Sequence, residues 1–406
     1  MIFIECIPSL VLESPVFFDN GMHPQQVRAR LGQVCRVWSA ILNDEPGVWE
    51  TLVFANRFDP PEIVSLWIKR SKSHPLDISF QGTPNMFVYG NAVVRMLHKE
   101  LWRIRSFIGE DFLDTFNISP LFPPNFSTEA PMLQNLSLHC IERFTAGRLA
   151  WIHCPQLCTL TLQNCGEAME SLMSKPMQNL RVLTIANQSG DPMLYIKLLQ
   201  ALPNLVSLTW WNFVMPLHDE IPRVVLRSLK SLTLYMGPWD VITCLYVPSL
   251  EHLEINPPSD PQGSLDGVLD IICGDGAVQL RRLTLGDGAL RGANFHAVWH
   301  HLKHLETLYI SKGDADELFI ALSPRNRDFS SVCPQLKTLE LSFTRISTGP
   351  LLDFVQRRVK PDLGDQAPGL VTCLKLSHIW VDEEVSAQLA KTHSLSVQTH
   401  HLLHLI

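Results

Sequence analysis

A proline, one further residue, then Leu-x-x-Leu-x-Leu: this phrase returns about ten times along the chain and limits what it can fold into. It reads Pro155-Gln-Leu157-Cys-Thr-Leu160-Thr-Leu162, and again Pro203-Asn-Leu205-Val-Ser-Leu208-Thr-Trp210. It returns at Pro248 through Leu250 and Leu253 to Ile255, at Pro334 through Leu336 and Leu339 to Leu341, and at Pro131 through Leu133 and Leu136 to Leu138. Versions without the proline start at Leu180, Leu229, Leu280, Leu305 and Val371. The first anchors fall 21 to 25 residues apart from Leu133 to Leu250 and 25 to 35 apart afterwards. Two looser units precede them, Leu76-Asp-Ile78-Ser-Phe80 and Ile104-Arg-Ser-Phe107. Self-similarity of this period describes a solenoid, in which each unit covers only its neighbours and the stack presents an extended binding surface.

Each phrase ends in an alternating Leu-x-Leu, the pattern of a short half-buried strand. Between phrases lie stretches that read as helices: 193–202, 265–272, 295–302, 317–322 and 351–359. Strand and helix repeated with one hand give a parallel sheet with helices outside. Over 76–406 the chain resembles leucine-rich-repeat proteins. That resemblance implies an α/β solenoid, an arc with a parallel concave sheet and outer helices. The repeats are degenerate: the position that is Asn or Cys in the family is filled cleanly only by Cys165.

If the leucines point into the core, the residues between them line the other face. One column reads Ser137, Thr161, Thr184, Thr209, Thr233, Glu254, Thr284, Tyr309, Glu340, Lys375. The next reads His139, Gln163, Ala186, Trp211, Tyr235, Asn256, Gly286, Ser311, Ser342, Ser377. The threonines suit an exposed strand face. Trp211 and Tyr235, from neighbouring units, should lie about 5 Å apart, either as a binding hot spot or as extra core under a loop. With His252, Glu254 and Tyr309 they form the expected target-binding set. Basic residues on this face are few and separate (Arg282, Lys375), which disfavours a phosphorylated target.

The first 75 residues follow another pattern. Leu31-Gly-Gln-Val34-Cys35-Arg36-Val-Trp38-Ser-Ala40-Ile41 carries apolar residues at helical spacing, and Asp44-Glu-Pro46-Gly-Val48-Trp49 follows. By periodicity alone this is an amphipathic helix capping the solenoid. The order of its Val-Cys-Arg-x-Trp and Pro-x-x-Trp elements resembles the F-box, in the form expanded in fungi. The family's opening Leu-Pro turn has no counterpart. The chain reads as beginning inside the first F-box helix, with residues 12–30 as an insert. The resemblance implies an F-box-like segment over 1–55, a linker and first helix over 56–75, and repeats over 76–406. It further implies that Leu31, Val34, Cys35, Trp38, Ile41, Pro46 and Trp49 contact a Skp-family adaptor and, through it, a cullin.

Other classes find little support. The net charge is −7, and no basic block suggests nucleic acid. No apolar run is long enough to span a membrane. Ten cysteines show no framework spacing. Met1–Pro8 carries an early Glu5 and no basic start, unlike a secretory signal. A reduced cytoplasmic or nuclear protein is expected, in which the Asn-x-Ser tripeptides at Asn117, Asn125, Asn135 and Asn187 stay unmodified. Gly286-Asp-Gly288-Ala-Leu-Arg-Gly292 misses the dinucleotide spacing. His296, His300 and His304, like His400 and His404, sit four apart with no placed carboxylate or thiol partner, and Cys154, Cys158 and Cys165 fall at repeat positions. No nucleophile motif is present.

The expectation is a non-enzymatic protein needing no cofactor. It would be the substrate receptor of a Skp–cullin–F-box ubiquitin ligase, holding a target protein on its repeats. The alternative is a plain repeat scaffold with a vestigial F-box.

Overall fold

The computed structural model describes residues 24–55, 60–81, 90–112, 128–140, 152–164, 177–186, 192–211, 222–235, 244–256, 279–286, 298–323, 332–359 and 371–377. The chain divides into two compact units, 1–202 and 203–406.

The first unit opens with helices α1 (Pro24–Val34) and α2 (Arg36–Asp44), then a 3₁₀ turn (Pro46–Trp49) and strand β1 (Thr51–Ala55). There follow α3 (Pro61–Arg70), β2 (Leu76–Gln81), α4 (Gly90–Lys99), a second 3₁₀ turn (Leu101–Arg103) and β3 (Ile104–Phe112). Strands β4 (Thr128–Glu129), β5 (Asn135–Cys140), β6 (Ile152–His153), β7 (Thr159–Gln163) and β8 (Val182–Ala186), with helix α5 (Pro192–Gln200), complete it. Its main sheet is parallel throughout, in the order β1-β2-β3-β5-β7-β8, and β4 pairs with β6 apart from it.

The second unit contains β9 (Ser207–Trp211), β10 (Val224–Val225), β11 (Ser231–Tyr235), β12 (Leu245–Tyr246), β13 (His252–Asn256) and β14 (Arg282–Leu285). It continues with β15 (Thr307–Asp314), α6 (Asp316–Leu322), β16 (Thr338–Arg345), α7 (Thr348–Phe354) running into a π turn (Val355–Val359), and β17 (Cys373–Ser377). Its parallel sheet runs β9-β11-β13-β14-β15-β16-β17, with β10–β12 as a separate pair. One strand per phrase, all parallel and in chain order, is the α/β leucine-rich-repeat solenoid expected from the sequence.

The proline of the phrase has a mechanical reason. The anchor leucine N–H closes a turn on the carbonyl three residues back: Leu133 on Ala130, Leu157 on Cys154, Leu250 on Val247, Leu336 on Cys333. Pro131, Pro155, Pro248 and Pro334 therefore occupy the second position of a β-turn, which their fixed φ suits. Units without the proline close the same turn, as Leu229 does on Leu226 and Leu305 on Leu302. The turn delivers the anchor into the core and the chain into the next strand.

A second device fixes the register. The residue after each anchor offers its carbonyl to two N–H groups of the next unit: Lys230 O accepts from Glu251 and His252, Glu251 O from Arg281 and Arg282, and Arg281 O from Glu306 and Thr307. Glu306 O does the same for Lys337 and Thr338. Side chains at this position alternate in sign across the second unit. Lys230 meets Glu251 at 2.8 Å, Arg281 meets Glu306 at 4.0 Å, and Lys337 meets Glu306 at 3.2 Å. Each exposed pair contributes little by itself.

The strands bury the expected leucines. Leu232, Leu253 and Leu283 stack in register across β11, β13 and β14 and are buried. In the first unit phenylalanines do part of this work: Phe54 stacks on Phe80 with ring centroids 4.7 Å apart, and Phe80 meets Phe107 at 5.8 Å.

Three sequence expectations are corrected. The apolar run from Leu31 to Ile41 is not one helix. It breaks at Cys35, whose backbone is extended (φ −163°, ψ 168°), so Leu31 and Val34 lie on α1 while Trp38 and Ile41 lie on α2. Residues 24–30, expected as part of an insert, are helical. The sheet also starts earlier than residue 76, because β1 pairs with β2 in parallel. Helices appear at 192–200 and 316–322 close to expectation, while 265–272 lies outside the described residues.

Candidate functional site

Two surfaces carry the residues singled out by sequence. In the helical pair α1–α2, Val34 is 60% exposed, Val37 65% and Ile41 40%, and Cys35 is exposed between them. Leu31, Trp38 and Pro46 are half-buried. Buried apolar residues anchor the pair from beneath: Leu42 on α2, then Val48 and Trp49 on the turn. Val37 was not singled out in the sequence, although its i, i+3 spacing from Val34 would have put the two on one face of a continuous helix.

Trp49 departs from its expected role. It is 5% exposed, its Nε1 donates to Leu42 O at 2.7 Å, and guanidinium groups of Arg28 and Arg70 lie 5.2 and 4.7 Å from its ring. It packs the first unit and is out of reach of a docking partner. Arg28 is buried with it. Its Nε donates to Val48 O at 2.7 Å, and burial lowers its pKa to about 10, which leaves it charged at neutral pH.

The second surface is the strand face opposite the leucines. Every described residue of the first expected column, from Ser137 to Lys375, is half-exposed. The second column is interrupted where Ala186, Gly286 and Ser342 turn in and are buried, leaving Trp211, Tyr235 and Asn256 as a run on three neighbouring strands. Trp211 is 43% exposed, and its ring lies over Tyr235 with centroids 4.0 Å apart and planes inclined by 32°. The parallel register of β9 and β11 sets this contact directly.

Glu254 joins the pair through hydrogen bonds that the sequence did not disclose. Tyr235 donates its hydroxyl to Glu254 Oε1 at 2.9 Å, and Asn256 donates Nδ2 to the same oxygen at 2.8 Å. Partial burial first, then the Glu254 contact, raises the Tyr235 phenol to about 12, so it remains a proton donor across the neutral range. His252, two residues earlier on the same face, is exposed. The part of its ring that is covered, and then the Arg282 charge, push its pKa down, which favours the neutral imidazole. Tyr309 is half-exposed three strands from Tyr235 in the sheet order, so it is not brought to the cluster.

Gly286 sets the back of this cluster. A Cβ there would overlap Asn256 Oδ1 and stand 3.0 Å from Asn256 Cα, and Gly286 N already donates to Ile255 O at 2.6 Å. Gly286→Ala is therefore expected to cost about 1–3 kcal/mol and to displace the Asn256 amide from Glu254. Urea denaturation measures the first effect, and a loss below about 0.5 kcal/mol would contradict it.

Among the described residues no group of three or more metal-ligating side chains comes together, and Cys154 and Cys158 are not joined in a disulfide. Gly288, Gly292, His296, His400, His404 and Cys165 lie outside the described residues. No described helix is long and apolar enough to cross a membrane.

No family model and no curated relative matches this sequence. Among solved structures, the chain is similar to an internalin from Listeria monocytogenes at 16% identity, with 97% of this chain and 96% of that one covered and a TM-score of 0.42. It is similar also to a protein from Bacteroides fragilis at 16% identity, with 60% and 65% covered and a TM-score of 0.35.

Proposed function

We propose that this chain is the substrate-recognition subunit of a Skp–cullin–F-box ubiquitin ligase. The α1–α2 pair docks a Skp-family adaptor, and the strand face of the repeats holds a target protein. The chain adds no reacting group of its own. It raises the effective concentration of the target at the ubiquitin-loading enzyme. One observation carries the adaptor half of this reading: Val34, Val37 and Ile41 stand exposed on a short helical pair that is anchored from beneath by buried Leu42 and, on the turn that follows, Trp49. Large exposed apolar side chains grouped in this way mark an interaction surface.

A scaffold without a ligase partner is the competing reading. The burial of Trp49 favours it, because a residue that the F-box resemblance assigns to the adaptor is committed to internal packing.

A pull-down with a purified Skp-family adaptor separates the two. The parent chain is expected to bind, and Val34→Asp with Ile41→Asp is expected to weaken binding at least tenfold, roughly the loss of one hot-spot contact. Both positions are exposed, so the thermal midpoint should hold. Absence of binding by the parent would select the scaffold.

A further inference from the structure

We propose that the Trp211–Tyr235–Glu254 cluster receives a basic side chain, an arginine in preference to a lysine, projecting from the target protein. This rests on the reading of the strand face as the target-binding surface and gives that surface a chemistry.

The carboxylate is the starting point. Both hydrogen bonds to Glu254 end on Oε1, leaving Oε2 without a partner among the described residues. Glu254 also has no ion pair among the described residues, whereas Glu340, in the same column, is paired with Lys375 at 3.4 Å. The basic residue nearest in register is Arg282, one strand over and level with His252, and it forms no ion pair with Glu254. Tyr235 and Asn256 fix the carboxylate in place, so a partner would not have to order it.

The aromatic pair supplies the rest. The exposed ring of Trp211 offers a π face beside that carboxylate, and Tyr235 bridges the two by stacking on one and donating to the other. A cation over an indole, with an anion within reach, satisfies both groups at once. A guanidinium does so better than an ammonium, because its plane stacks on the ring while its edge N–H groups reach Oε2. An apolar side chain would cover the ring but desolvate Oε2 without a donor. An acidic or phosphorylated one would meet a like charge.

The test uses the full chain and peptide pools with randomised flanks and one fixed central residue: Arg, Lys, citrulline, Leu or Glu. Citrulline keeps the shape of arginine and removes its charge. The Arg pool is expected to bind about tenfold better than the citrulline pool, with Lys between them. Glu254→Gln and Trp211→Ala should each lose about tenfold, and Trp211→Phe should recover part of it, with circular dichroism unchanged throughout. Equal binding of Arg and citrulline pools overturns the inference. If that binding still falls in Trp211→Ala, the face remains a target site of other chemistry. An Arg preference that survives both Glu254→Gln and Trp211→Ala places the basic site elsewhere and also overturns it. If no pool distinguishes Trp211→Ala from the parent, the inference and the target-face reading fall together.

Discussion

Arg103→Ala is expected to destabilise the first unit by about 3–5 kcal/mol, comparable to breaking a buried ion pair. The guanidinium is 1% exposed, and its donors hold four groups. Nε reaches Glu100 at 2.8 Å, Nη1 reaches Ser71 Oγ at 3.0 Å and His74 O at 2.7 Å, and Nη2 reaches Ile68 O at 3.2 Å. Two of these acceptors are carbonyls at and just beyond the C-terminal end of α3, which has no intrahelical donor for them. Alanine would take the Arg103 donor from His74 O, leave Ile68 O with the Ser71 hydroxyl alone at 2.7 Å, and add a cavity in a closed space. Lysine should recover little, since one ammonium cannot serve acceptors spread in a plane. Glu100→Gln should cost much less, because Glu100 keeps contact with water. Urea unfolding measures all three, and an Arg103→Ala loss below about 1 kcal/mol would contradict the account.

The second large effect is expected of Leu253→Ala, at about 3 kcal/mol. Leu253 is buried at the centre of β13 and lies level with Leu232 on one side and Leu283 on the other. A solenoid is stabilised by contacts between nearest neighbours, so a hole in one unit weakens the interfaces on both sides. Hydrogen exchange should show it as lost protection at the ladder amides of Glu251, His252, Arg281 and Arg282 together. Thr284→Ala, half-exposed on the other face of the same sheet, should leave these amides nearly unchanged. Lost protection confined to β13 would show that the units do not share stability in this way.

The repeat was legible because its period, its proline and its alternation all express one constraint, the delivery of a buried leucine into a parallel strand. The same alternation placed Trp211 beside Tyr235, expected about 5 Å apart and found with centroids at 4.0 Å. Strand β1 was not read as a unit, because Trp49-Glu-Thr-Leu52-Val-Phe54 keeps the spacing of the phrase but replaces its outer leucines with aromatics. Nor was the break at Cys35 legible, because periodicity runs through it unchanged and only the backbone there departs from helix. The Glu254 contacts depend on side-chain reach between strands, which spacing does not encode. The alternation of Lys230, Glu251, Arg281, Glu306 and Lys337 could have been found, for these residues follow the anchor leucine in successive phrases.

That alternation gives the second unit a parity. Remove the phrase containing Glu251, and Lys230 would face Arg281, like charges on adjoining rungs. Remove the next phrase as well, and Lys230 would face Glu306 with the pattern restored. Repeats here should be lost or duplicated more cheaply in twos than singly, although each rung contributes little. The ladder thus records, in the sign of one side chain per repeat, whether the count of units between two points is odd or even.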